Sequence, residues 1–179
     1  MCVPSVGDML REASMGYLRA SLVVQIVLAV YFQAVLWFPL GAWNDQPGKR
    51  LIAVVRSGEA PVAAFGFAVV MLLPVLLFAL AYWRKWSWLM WLGLAGYGTW
   101  AVLQVQSWWI PYIFGADARA LRNEKALERT TKLLPSLTNH HAPDGMHFVL
   151  DVLLFAVVAL TLIGLLKQAG PKGLSMRRP

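Results

Sequence analysis

Cysteine is almost absent from this chain of 179 residues, which has only Cys2. One cysteine excludes an internal disulfide, a CxxC redox pair and a thiolate metal cluster within one chain. Charge is also scarce, since 14% of the residues are charged and 59% are hydrophobic. A chain this apolar does not suit an ordinary water-soluble domain, and we expect most of it to lie in lipid.

Several catalytic motifs are also missing. The sequence has no Walker loop, no GxGxxG and no GxSxG, which argues against phosphate-cradling and acyl-transfer enzymes. Histidine is absent from the first three apolar runs, so we do not expect a haem held by histidines of opposed helices. The net charge of +7 comes from short basic segments beside the apolar runs, which favours a membrane surface over nucleic acid as the partner.

Four stretches are apolar and long enough to cross hydrocarbon, which takes roughly 20 helical residues. They lie at about 20–43, 60–83, 86–110 and 146–166. The third is expected to end near Ile110, because Pro111 follows it. The pattern predicts one membrane domain over 1–179, namely an all-α integral membrane protein with an antiparallel four-transmembrane-helix bundle.

The connections between these stretches differ in length. Only residues 83–86, Trp-Arg-Lys-Trp, separate the second and third stretches, which predicts a tight hairpin with tryptophans at the headgroup level. The connection over 117–144 is polar, and its first part, from about Ala118 to Leu134, predicts a short amphipathic helix between helices three and four. This helix suits either the membrane surface or a solvated position at the end of the bundle.

The orientation in the cell membrane follows from the basic residues. The connections predicted on the two sides of the membrane contain equal numbers of lysine and arginine residues. Their number alone therefore does not decide which side is cytoplasmic. The hairpin and the C-terminal tail hold cations close to the ends of the apolar stretches with almost no acidic residues. This favours a multi-pass protein with cytoplasmic termini.

Asp151 is an ionisable residue within the last apolar stretch, and such a residue is a functional hypothesis by default. His147 lies four residues earlier, so the two side chains share a helical face and can hydrogen-bond. We predict that His147 and Asp151 carry any catalytic or proton-relaying role. The alternative is structural: an interhelical hydrogen bond, or a helix start at which aspartate suits the N-terminal dipole.

Further polar and aromatic residues lie towards the same side of the membrane and predict a pocket open to the long connections. The predicted ligand-binding residues are Gln33, Gln104, Trp109, Tyr112 and Asn139. The aromatic segment from Trp108 to Tyr112 also suits a belt at the membrane interface.

The three histidines of the protein all lie between positions 140 and 147. Together with carboxylates they predict a transition-metal site, with His140, His141 and Asp144 as candidate ligands beside His147 and Asp151. Their spacing matches no named metal motif, and His140 and His141 also suit a solvated loop.

These observations support three hypotheses about function. The first is a membrane protein that binds a small or lipid-like ligand in the polar pocket. The second is a metal-dependent membrane enzyme that uses the His/Asp cluster. The third is a non-catalytic subunit that packs against another membrane protein or a second copy of itself through small residues: Ala64, Ala68, Gly93 and Gly96.

Overall fold

The computed structural model describes residues 6–38, 40–43, 61–118, 121, 130–135 and 137–169. Across these ranges the chain is all-helical, with one isolated β-bridge between Lys132 and Asp144. The helices are α1 (Val6–Trp37), α2 (Pro61–Arg84), α3 (Ser87–Gln104), α4 (Ile110–Phe114) and α5 (Gly145–Ala169). A 3-10 turn at Gly41–Trp43 follows α1, and a π-helical turn at Val105–Trp109 joins α3 to α4.

Helix α1 begins well before the apolar stretch that predicts it, at Val6 instead of about residue 20. Charged residues interrupt this first part, which is why an uncharged window does not find it. Arg11 and Arg19 are exposed, whereas Ser14 and Leu18 are buried. The early part of α1 is therefore helical because one face packs against the protein.

The connection between α2 and α3 is as short as the sequence predicts. Lys85 has φ of 58°, and the amide of Trp86 donates to the carbonyl oxygen of Ala81 at 2.9 Å. The amide of Lys85 donates to Tyr82 at 3.4 Å. A left-handed residue followed by this pair of bonds is a Schellman motif, which ends α2 and reverses the chain within two residues.

Pro111 does not end the third helical segment, which continues to Phe114. Proline lacks the amide hydrogen that an α-helix requires of an interior residue. Here the π-helical turn lies immediately before α4, and Pro111 occupies one of the first positions of α4. An N–H group has no α-helical partner at the start of a helix, so the proline is tolerated there.

The long helices pack in the cyclic order α1, α2, α3, α5, with the most extensive contact between α1 and α5. One buried cluster lies towards the α2–α3 hairpin and includes Leu18, Phe78 and Met90. A second lies nearer the start of α5 and includes Leu154 and Tyr97. These two cores fix the ends of α3 and α5 against one another.

Two of the described helical segments, Arg11–Val35 and Gly145–Ala169, are long and apolar enough to cross a membrane. The predicted amphipathic helix falls mostly on residues outside the described ranges. Where the structure describes its end, Thr130 to Leu134 is not helical, because Lys132 forms the β-bridge with Asp144.

Candidate functional site

Asp151 is fully buried on α5, and both of its carboxylate oxygens accept hydrogen bonds from α3 and the π-helical turn. Nε2 of Gln104 donates to Oδ1 at 2.8 Å, and Nε1 of Trp109 donates to Oδ2 at 2.8 Å. A carboxylate within a helix core is costly unless it is hydrogen-bonded. These two donors supply that stabilisation and bind α3 and its continuation to α5.

The π-helical turn explains how Gln104 and Trp109 reach one carboxylate. Residues five apart are about 140° apart around an α-helix of 3.6 residues per turn. The i to i+5 pattern of a π-turn brings them onto one face instead. The amide of Ile110 accordingly donates to the carbonyl oxygen of Val105. The wide turn therefore positions the two donors of Asp151.

His147 pairs with Asp144, not with Asp151 as the four-residue spacing predicts. Nδ1 of His147 lies 2.7 Å from Oδ1 of Asp144, and the His147 amide donates to the same oxygen at 2.9 Å. Asp144 immediately precedes α5 and thus acts as its N-cap, bonding the amide three residues on. Asp144 therefore holds both the backbone and the imidazole of His147, while Gln104 and Trp109 bond the two oxygens of Asp151.

Asp144 combines complete burial with one unsatisfied oxygen. Its side chain is 0% exposed, and Oδ2 has no hydrogen-bond partner in the part of the chain that the structure describes. Burial alone would raise the pKa of this carboxyl. The hydrogen bonds from His147 and the charges of His147 and Lys132 lower the pKa and outweigh the effect of burial. The pKa of Asp144 is therefore lowered overall. Asp144 is therefore a buried carboxylate anion with spare acceptor capacity.

Trp108 stacks on two histidines. Its ring centroid lies 3.8 Å from that of His147 and 4.7 Å from that of His141. His141 is buried, whereas the His147 side chain keeps 19% of its surface exposed. Trp108 thus brings the loop histidine and the α5 histidine together beside Asp144.

The segment from His141 to Met146 is buried throughout, because neighbouring segments bind it on several sides. Nζ of Lys132 donates to the carbonyl oxygen of Ala142 at 3.1 Å. The hydroxyl of Tyr31 donates to the carbonyl oxygen of Met146, also at 3.1 Å. Trp43 in turn donates to the Tyr31 hydroxyl at 3.0 Å. This packing makes the site a fixed part of the fold.

Gly145 is required at the start of α5. A Cβ atom on it would lie 2.9 Å from the ring of Trp43 and 3.3 Å from the carbonyl oxygen of Thr131. The Gly145 amide donates to that same Thr131 oxygen at 2.6 Å. The close approach brings the 3-10 turn and the loop onto the first turn of α5.

Other predicted site residues hold the loop to α4. Nδ1 of His140 lies 2.7 Å from the carbonyl oxygen of Tyr112, and the Tyr112 hydroxyl donates to Pro135 at 3.4 Å. The carbonyl oxygen of Asn139 accepts from the Ala116 amide at 2.9 Å. Gln33 is half-buried on α1, and the donors to Asp151 are Gln104 and Trp109 instead.

The structure thus brings together Gln104, Trp109 and Asp151 in one group, and His141, Asp144 and His147 in another beside it. Across the described residues, no three His, Cys, Asp or Glu side chains form a group that could hold a metal ion. The metal hypothesis for His140, His141 and Asp144 therefore gains no support from the geometry.

Sequence reasoning missed a polar network deeper between α1, α3 and α5. Oγ of Ser21 lies 2.6 Å from Oγ1 of Thr161, and Nε2 of Gln25 donates to Ser21 at 3.2 Å. The Tyr97 hydroxyl donates to Oε1 of Gln25 at 3.3 Å. The spacing of Ser14, Ser21 and Gln25 places them on one face of α1, a polar stripe in an otherwise apolar run that would have indicated the network.

Comparisons with family models, curated protein sequences and solved structures find no match for this chain. The fold and the arrangement around His147 and Asp151 therefore carry the functional argument by themselves.

Proposed function

We propose that this chain is a multi-pass membrane protein in which α1, α2, α3 with its continuation, and α5 each cross the bilayer. Their outer faces support this, because large apolar side chains are exposed on every one of them, such as Val30, Leu76, Leu92 and Val152. A water-soluble protein rarely exposes so much contiguous apolar surface. With an even number of spans, both termini lie on one side, which we propose to be the cytoplasm of the cell.

We further propose that the group around His147 binds a small or lipid-like ligand. The observation that carries this is the His147 imidazole, which is held at Nδ1 and keeps 19% of its side-chain surface exposed. Nδ1 is held by Asp144 and the ring lies against Trp108, whereas no described residue hydrogen-bonds to Nε2. An imidazole held in this way presents one directed hydrogen-bonding atom to a ligand.

The position of His147 suggests the kind of ligand. His147 lies in the first turn of α5, where a span over Gly145–Ala169 meets the membrane boundary. Trp108 adds an aromatic face beside the His147 ring. A molecule with a polar group at the interface and an apolar body in the bilayer matches this set.

A proton-transferring enzyme is the second candidate, and the Asp144–His147 pair favours it. A carboxylate that holds Nδ1–H of a histidine leaves Nε2 as a proton acceptor, the arrangement of a general base. In this version His147 would move the proton and Asp144 would orient it. Asp151 would keep α3 and α5 in place, since both of its oxygens are occupied by donors of the protein.

The metal-dependent enzyme and the assembly subunit remain predictions. A metal site would need ligands beyond the described groups, and a stoichiometric transition metal lost on His147→Ala would support it. A membrane-protein partner or a second copy would have to pack on small residues, among which Gly93 and Gly96 lie on α3.

Native mass spectrometry of protein released gently from its membranes tests the ligand proposal. We expect a bound small molecule or lipid on the wild type that His147→Gln loses. His140→Gln is the matched control, because that imidazole contacts the Tyr112 backbone. Wild-type protein without any bound molecule would contradict the proposal. So would His147→Gln protein that retains every molecule bound to the wild type, unless those molecules are shown to occupy a separate site.

A further inference from the structure

A lateral groove of about 600 Å³ lies between α1, α2 and α3, away from the site around His147. Leu28 and Ala29 border it on α1, Leu73 and Leu77 on α2, and Gly96 and Leu103 on α3. Leu73, Leu77 and Leu103 are also exposed, so the groove is continuous with the outer apolar faces of these helices. Its open side therefore meets hydrocarbon when the helices span a membrane.

The polar side chains that border the groove are already bonded within the protein. The Tyr97 hydroxyl donates to Gln25, Nε2 of Gln25 donates to Ser21, and the Thr99 hydroxyl donates to the carbonyl oxygen of Ala95. Gln25 is 0% exposed. The groove thus presents hydrocarbon rather than hydrogen-bonding groups, which favours an apolar occupant over a polar ligand.

The dimensions of the groove distinguish a lipid chain from a helix. Its α3 wall runs from Leu89 to Leu103, a length of about 21 Å at 1.5 Å per residue. The volume of about 600 Å³ extends over that length, so the groove is long and narrow. A helix with its side chains is about 10–12 Å across, whereas a methylene chain is about 4 Å across at van der Waals contact. The long, narrow shape therefore favours a methylene chain over a helix.

We infer that this groove holds a hydrocarbon chain of a membrane lipid. The lipid lies along α3 with its chain against Gly96. Moving the chain from the bilayer into the groove gains little from the hydrophobic effect, because both are apolar, so packing against the helices retains it. This inference rests on the proposed membrane-spanning arrangement of the helices, but it concerns a site separate from His147 and holds whether or not His147 binds a ligand.

Gly96 offers a sharp test of the occupant. A Cβ atom on Gly96 would meet nothing within 4 Å, so a larger side chain there projects into open space of the groove without a clash. Gly98 is the matched control: it also has nothing within 4 Å, but it does not line the groove. Leucine forms a helix more readily than glycine, so neither variant weakens α3 itself.

The experiment reconstitutes the full chain into phosphatidylcholine nanodiscs that contain a phosphatidylcholine with a diazirine in one acyl chain. After photolysis, we expect the label on the groove-facing part of α3 to fall by about twofold or more in Gly96→Leu, because leucine takes up much of so narrow a section. Gly98→Leu is expected to label like the wild type. Equal labelling of wild type and Gly96→Leu would overturn the inference.

A second pair of variants approaches from α2. Leu73→Trp fills the groove from the opposite wall, whereas Leu76→Trp adds the same side chain at a position outside it, which is 65% exposed. We expect only Leu73→Trp to reduce labelling of α3. If crosslinking in native membranes instead finds a protein helix against Gly96, and the acyl probe labels α3 only after that partner is removed, the groove is a protein interface and the lipid inference is wrong.

Discussion

Gln104 and Asp151 lie 47 residues apart in the chain and are joined by a hydrogen bond of 2.8 Å that binds the end of α3 to α5. The bond depends on the π-helical turn that follows Gln104, since this turn lets Trp109 bond the other oxygen of the same carboxylate. The turn thus links the geometry of α3 to the position of the first turns of α5, where His147 lies.

Replacement of Asp151 by leucine is expected to destabilise the protein by about 1–3 kcal/mol, because it leaves the partly buried donors of Gln104 and Trp109 without an acceptor. The thermal unfolding midpoint of purified protein measures this. Gln106→Leu, at an exposed position of the same turn, serves as the control and is expected to change the midpoint little. Equal midpoints for Asp151→Leu and the wild type would show that the hydrogen bonds contribute nothing.

Two glycine-to-alanine changes are expected to have opposite effects. A Cβ atom on Gly164 would lie 2.7 Å from Cδ2 of Leu18, so Gly164→Ala destabilises the α1–α5 contact. Overpacking of this kind costs about 1–3 kcal/mol. Gly16 has nothing within 4 Å of such an atom, so Gly16→Ala gains about 0.5–1 kcal/mol of helix propensity. Thermal midpoints that move in the same direction would contradict the packing of α1 on α5.

The same contact predicts non-additivity. Shortening Leu18 to alanine makes room for the new methyl group, so Leu18→Ala with Gly164→Ala is expected to cost less than the two single changes added together. A double-mutant cycle on the thermal midpoint measures the difference. Simple addition would mean that Leu18 and Gly164 do not pack on one another.

Asp144 predicts a stability change at acid pH. Its pKa is lowered in the folded protein from an ordinary value of 3.8, so the folded state binds this proton less readily than the unfolded state. The stabilisation is therefore complete above that ordinary value and is lost as the pH falls through the lower, folded value. The midpoint difference between wild type and Asp144→Asn is expected to shrink below pH 3.8.

Glu12→Gln, which changes an exposed carboxylate on α1, provides the control for this titration. Its midpoint difference from the wild type is expected to stay small throughout. A difference for Asp144→Asn that grows on acidification would mean that the pKa of Asp144 is raised, contrary to the hydrogen bonds from His147.

The four-span arrangement that we propose predicts that the α2–α3 hairpin and the loop after α4 lie on opposite sides of the membrane. Single cysteines at Lys85 and at Asn139, each in a Cys2→Ser background, report this through a membrane-impermeant maleimide applied to sealed, oriented vesicles. Lys85→Cys is expected to react on the side of the termini and Asn139→Cys on the other. Reaction of both on one side would exclude a membrane crossing by α3.

Hydrophobic patterning predicted where the long helices lie, because each of them contains a long apolar run. It failed at the start of α1, where Arg11 and Arg19 interrupt the apolar run although the buried face continues through Ser14 and Leu18. It also failed at Pro111, since no local sequence rule indicates the π-helical turn that accommodates the proline.

The candidate site was predictable only in its residue types. Spacing placed His147 and Asp151 on one helical face. It did not show that Asp144 bonds the His147 imidazole, or that Gln104 and Trp109 donate hydrogen bonds to Asp151. Those pairings depend on how α3 and the loop pack on α5, which connects residues far apart in the chain. The stacking of Trp108 on His141 and His147 was hidden for the same reason, because an aromatic segment at a membrane boundary also suits an interfacial belt.

The most direct test of the account is an experimental structure of the protein extracted gently from native membranes, examined around Nε2 of His147. We expect non-protein density within hydrogen-bonding distance of Nε2, extending towards the membrane, as a polar or lipid-like ligand requires. An empty, dry edge, with the imidazole closed off by the protein's own side chains, would contradict ligand binding and leave His147 and Asp144 as the cap of α5.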